Sequence, residues 1–169
     1  MKNIVLTGFM ASGKSTVGRA LAQKLNVSLI DTDQLIETEQ KRQIKDIFAQ
    51  FGEPYFRTLE TEAVRQVCRK DGQVIATGGG IVLNPKNIEL FRKNSIIVFL
   101  YAGLEKILQN ISGGMSGRPV ANGKSAEELA EILESRLPCY RNCDIEIDTT
   151  HLDISEVVET IYQKLAKID

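Results

Sequence analysis

Asn3-Ile4-Val5-Leu6-Thr7 runs without a break into Gly8-Phe9-Met10-Ala11-Ser12-Gly13-Lys14-Ser15-Thr16, and the join between the two decides the fold. The first five residues form the short apolar run of a buried strand. Lys14 opens a helical pattern that puts Val17, Leu21 and Leu25 on one face, at i, i+4 and i+8. Between strand and helix stands G-x-x-x-x-G-K-[ST], from Gly8 to Ser15. Glycines let such a loop wrap so that successive backbone N–H groups point at phosphate oxygens, and the helix N-terminus adds the positive end of its dipole. Lys14 brings a mobile charge to the terminal phosphates, and the Ser15 hydroxyl is a Mg²⁺ ligand. Ala11, Ser12, Gly13, Lys14, Ser15 and Thr16 are therefore the residues expected to hold ATP.

Outward from this junction, short apolar runs alternate with longer helical patterns, the signature of β-α-β units and a parallel sheet. Further strands are expected at 28–30, 74–76, 96–101 and 144–148. Helices are expected at about 33–41, 44–51, 54–69, 104–111 and 125–141, with a last one from 153. Ser125 with Glu128, and Asp153 with Glu156, are capping-box patterns. The last helix would carry Val157, Ile161, Leu165 and Ile168 on one side. Residues 112–124 hold four glycines, no apolar period and one Arg-Pro pair, which reads as a mobile loop. With no repeat, linker or low-complexity tract, residues 1–169 read as one α/β domain, five parallel strands wrapped by helices.

Composition narrows the function. Apolar and charged fractions of 43% and 25% are those of a globular protein. Lys plus Arg (21) nearly balances Asp plus Glu (22), which argues against nucleic acid as a partner. Cys68, Cys139 and Cys143 form no C-x-x-C pair, and His151 is the one histidine, too few ligands for zinc. His151 reads as a loop residue. The apolar run after Lys2 is broken by Thr7 and Gly8, too short for a signal-peptide core, and no stretch has the length of a membrane span. A reduced, cytoplasmic monomer is the expectation.

The phosphate loop alone does not separate a kinase from a GTPase switch or an ATPase motor. Asp31-Thr32-Asp33 closes the second strand, where α/β folds place ligand groups. One carboxylate can face the metal while the other accepts from a substrate hydroxyl, although Asp33 could instead cap a helix. Arg57 and Glu60 share a helical face at i, i+3, either as a surface ion pair or as a guanidinium oriented toward a carboxylate ligand. Gly78-Gly79-Gly80 brings backbone close to a ligand or simply makes a tight turn. Arg118 sits beside Pro119 in the loop, and Arg136 lies on the capped helix that follows.

In this order these residues resemble the shikimate kinase family. The resemblance runs nearly end to end. It passes through Gly8 to Thr16, D-T-D at 31–33, I-x-x-I-F-x-x-x-G-E-x-x-F-R-x-x-E from Ile44 to Glu60, G-G-G at 78–80, R-P at 118–119, and R-L-P-x-Y from Arg136. It implies a three-layer α/β/α P-loop NTPase fold with sheet order 2-3-1-4-5. It also implies transfer of phosphate from ATP, with Mg²⁺, to shikimate on the route to chorismate and aromatic amino acids. By the same resemblance Asp33 would be the base at the shikimate hydroxyl, and Arg57, Arg136 and the Gly79 backbone, flanked by Gly78 and Gly80, would hold the carboxylate. Phe48 and Phe56 would wall the ring beside Glu60. Asp31 would support Mg²⁺, and Arg118 would close over the transferring phosphates. Residues 33–61 would form the acceptor region and 112–124 the lid. Two positions depart from the pattern. The lid reads Arg118-Pro119-Val120-Ala121 where the family has R-P-L-L, and Asn110 and Ile111 stand where an arginine usually stacks on adenine. Rival readings are another small-molecule kinase, of gluconate or nucleotide type, and a catalytically silent binding domain.

Overall fold

The computed structural model describes residues 1–112 and 123–168. In chain order it contains β1 (Asn3–Thr7), α1 (Lys14–Leu25), β2 (Ser28–Asp31), α2 (Thr32–Gln40), α3 (Ile44–Phe51), α4 (Glu53–Val67) and β3 (Gln73–Ala76). After a 3₁₀ turn at Ile81–Leu83 follow α5 (Pro85–Arg92), β4 (Ser95–Tyr101), α6 (Leu104–Ser112), α7 (Ala126–Tyr140), β5 (Ile145–Asp148) and α8 (Ile154–Leu165). The strands form one parallel sheet in the order β2-β3-β1-β4-β5.

Alternation along the central strands sorts their side chains into two cores. Ile4 and Leu6 of β1, with Ile96, Val98 and Leu100 of β4, face α1 and α8. Val5, Ile97 and Phe99 face the opposite layer, built from α4, α5, α6 and α7. Each such fully buried side chain contributes about 1.5–3 kcal/mol by leaving water. Gly18 lets α1 lie close on the sheet, because a Cβ there would meet a Leu29 methyl at 3.0 Å. A third cluster, Ile36, Ile47, Phe56 and Ala63, ties α2, α3 and α4 into a lobe beside the β2 edge. The strand order reverses around β1, so the carboxyl ends of β1 and β3 open on the crevice where such folds bind ligands.

Two expectations are corrected. No element had been expected between Gly80 and Ile96, yet α5 fills that gap. It is eight residues long and buries only Asn87, Ile88 and Phe91, too little for a periodic signal. Its local signature is Asn84, whose side chain accepts from the Lys86 N–H, followed by Pro85 at the first helical position. Ile168 lies beyond the end of α8 and is exposed, whereas Val157, Ile161 and Leu165 are buried as read. Both capping boxes are formed, at Ser125–Glu128 and Asp153–Glu156.

Candidate active site

The phosphate loop is built from left-handed backbone and a buried lysine. Gly8, Ala11 and Gly13 have φ of 152°, 55° and 88°. A Cβ at Gly8 would stand 2.6 Å from the Leu100 carbonyl oxygen, so only glycine fits that approach. Gly13 caps α1 without a side-chain acceptor, which leaves the first N–H groups of the helix for an anion. Lys14 is 3% exposed, and its ammonium donates to the Gly8 and Phe9 carbonyls, both at 2.7 Å, and to Ser12 Oγ at 3.3 Å.

Ser15 and Asp31 meet at the end of β2. The Ser15 hydroxyl donates to Asp31 Oδ2 at 2.7 Å, while Asp31 Oδ1 accepts from the backbone N–H groups of Asp33 and Gln34. The cap of α2 is thus Asp31, and Asp33 sits inside the first turn. A hydroxyl beside a carboxylate is a hard-oxygen donor pair of the kind Mg²⁺ takes while keeping several waters. No cluster of three or more His, Cys, Asp or Glu suited to a metal occurs among the described residues.

The acceptor pocket is a cavity of about 320 Å³ that Asp33, Phe48, Phe56, Arg57, Glu60, Gly78, Gly79, Gly80 and Arg136 all line, with Ser15 and Asp31 at one side. Every expected acceptor residue is therefore brought to one place. Arg57 is held at two edges, by Glu60 Oε2 at 2.7 Å and by Glu53 Oε1 at 2.8 Å. That fixes its plane and leaves further N–H donors on the guanidinium. Glu60 is 1% exposed, and its second oxygen, Oε1, is buried without a hydrogen-bond partner. Burial pushes its carboxyl up to about 7; Arg57 opposes the rise, and Asp33 adds to it.

Gly78 and Gly80 are spatial requirements rather than parts of a loose turn. A Cβ at Gly78 would stand 2.5 Å from Asp33 Oδ1, and one at Gly80 would stand 2.2 Å from the Arg57 guanidinium. The Gly79 carbonyl accepts from the Tyr140 hydroxyl, whose ring stacks on Phe99 at 5.1 Å. Burial raises that hydroxyl to about 12, so it stays a donor. Arg136 reaches over the Phe9 ring at 5.9 Å, and Phe48 and Phe56 pack at 4.8 Å.

Sequence reasoning missed Glu53, although its i, i+4 spacing to Arg57 was a signal, and it assigned no role to Tyr140. Asn110 is also put to another use: its amide donates to the Ala11 carbonyl at 2.7 Å. Arg118 and most of the expected lid lie outside the described residues; Ser112 ends α6.

A phosphate loop facing an arginine-and-carboxylate pocket across one crevice defines a P-loop phosphotransferase with a small anionic acceptor. The shikimate kinase family model matches residues 10–166. The shikimate kinase of Caldicellulosiruptor saccharolyticus is 45% identical over 161 residues, covering 95% of this chain and 94% of the relative. That of Caldanaerobacter subterraneus subsp. tengcongensis is 45% identical over 168 residues, covering 99% and 98%. The structure of the Acinetobacter baumannii shikimate kinase, solved in complex with shikimate, superposes with a TM-score of 0.94 at 32% identity, covering 100% of this chain and 95% of that one. The chain belongs to the shikimate kinase family.

Proposed function

We propose that this protein transfers the γ-phosphoryl group of ATP to the 3-hydroxyl of shikimate, giving 3-phosphoshikimate and ADP for chorismate and aromatic amino acid synthesis. The observation that carries the reading is the convergence of Arg57, Arg136 and Asp33 on Gly78–Gly80, next to Ser15 and Asp31. Arg57, pre-oriented by Glu53 and Glu60, pairs with the shikimate carboxylate together with Arg136 and the Gly79 N–H. Phe48 and Phe56 cover the apolar face of the ring. With the carboxylate fixed at one end, the acceptor hydroxyl lies against Asp33. The hydroxyl oxygen attacks the γ-phosphorus, the bond to the ADP oxygen breaks, and the hydroxyl proton passes to the Asp33 carboxylate. The loop N–H groups of Ala11 to Thr16 and the Lys14 ammonium hold the phosphates, with Arg118 assigned to the same charge. Ser15 and Asp31 are the residues that would hold Mg²⁺, which would supply positive charge to neutralise the transferring phosphates. The residues assigned all lie in one chain, so the chemistry proposed needs no second copy.

The test is ADP release in a coupled assay with ATP and Mg²⁺, comparing shikimate, gluconate, a nucleoside monophosphate and no acceptor. Release should depend on shikimate. Release driven instead by gluconate or a nucleotide would make the protein a different kinase, and shikimate binding without ADP release would make it a silent binding domain.

A further inference from the structure

Asn110 stands on α6, two residues from its end, and its Nδ2 donates to the carbonyl of Ala11, 99 residues away in sequence. Ala11 is the non-glycine residue of the phosphate loop with left-handed backbone, φ 55°. Peptide planarity puts the Ala11 carbonyl and the Ser12 N–H on opposite sides of one rigid unit. The bond from Asn110 therefore fixes which way that unit faces. A carbonyl turned into the loop would set partial negative charge against phosphate oxygens; turned to α6, it is removed from them. The helix is a firm base for such a tie. Ile107 is fully buried in the core, and the Gly103 N–H at its start donates to Thr150 Oγ1 at 3.0 Å.

Ser15 ties the loop to Asp31, and the Lys14 ammonium ties it to Gly8, Phe9 and Ser12. That ammonium is also the charge the phosphates require, and once it turns to them those ties are lost. The tie from Asn110 does not compete with the phosphates and persists. Asn110 also lines a second cavity, of about 530 Å³, with Ser12, Gly13, Lys106 and Leu152. A contact with the base is thus the competing role for this side chain. We propose that Asn110 is a positioning residue of the phosphate loop, acting through the Ala11 carbonyl on the triphosphate and not on the base.

The experiment measures inhibition by tripolyphosphate, which has no base, and KM for ATP and for GTP, in the parent, Asn110→Ala and Asn110→Asp. Asp keeps the shape of Asn but has no N–H to donate. In both variants tripolyphosphate inhibition should weaken, and both KM values should rise by the same factor, about five- to tenfold, the size of one lost hydrogen bond. The ATP-to-GTP ratio of kcat/KM should stay at the parental value, and the melting midpoints should show both variants folded. Unchanged tripolyphosphate inhibition, or a shifted ATP-to-GTP ratio, overturns the proposal. The proposal rests on the phosphate-loop reading, which the parent checks separately: if tripolyphosphate does not inhibit the parent, the loop reading itself falls, and Asn110's role with it.

Discussion

The two halves of the active site are made in opposite ways. The phosphate loop comes from eight consecutive residues, Gly8 to Ser15, running from the end of β1 into the first turn of α1 and buried at Phe9, Met10, Ala11, Ser12 and Lys14. The acceptor pocket draws Asp33 from α2, Phe48 from α3, Phe56, Arg57 and Glu60 from α4, three glycines from the turn after β3, and Arg136 from α7. A contiguous site carries its geometry in local backbone, so one glycine or one lysine decides it. A distributed site carries its geometry in packing between elements, so its charged groups need partners to hold their direction. Lys14 is positioned by its own loop, whereas Arg57 is positioned by two carboxylates.

If that contrast is right, removing one residue of the loop should do more damage than removing one of the pocket. Lys14→Met should lower kcat by about a thousandfold or more, the scale on which a cation at the transferring phosphate acts, with the fold intact by circular dichroism. Turnover within tenfold of the parent would remove Lys14 from the chemistry. Arg57→Ala and Arg136→Ala should each weaken shikimate binding by roughly 2–5 kcal/mol in calorimetry while ATP binding is kept. Loss of both ligands together would mean that the halves are not separable.

The smallest effect concerns Glu60 and sharpens the contrast through pH. Its carboxyl titrates near 7 in the folded chain against an ordinary 4.5, so the folded state favours the protonated form. The stabilisation from that proton is fully present below about pH 4.5 and is lost as pH rises through 7, amounting to about 3 kcal/mol at most. Denaturation of Glu60→Gln should therefore lack the loss of stability that the parent shows between those values. Parallel curves for the two proteins would place the titration elsewhere.

What the sequence disclosed follows the same division. The strand, loop and first helix were legible because the signal is continuous, and both capping boxes because each spans four residues. The Arg57–Glu60 pair was legible because three residues on a helix mean one face. Tyr140 to Gly79 was not, since 61 residues separate a hydroxyl from the carbonyl it meets, and only the stacking of α7 against β4 sets them together. Asn110 was read incompletely for a related reason. Read along the chain it is an arginine that is missing; in the fold it is an amide with a carbonyl to hold. The gap that became α5 failed differently, because one short face of apolar residues has no period to detect.

In genetic terms, position 80 is a site without neighbours. Every base change that replaces Gly80 adds a Cβ, and a Cβ there falls within 2.6 Å of three atoms of the Arg57 guanidinium. What it meets is the far end of a long, flexible side chain, so the fold yields by letting the arginine swing aside. Alleles at this codon should therefore separate abundance from fitness: protein at the parental level is the expected outcome, with the guanidinium proposed to hold the carboxylate pushed out of line.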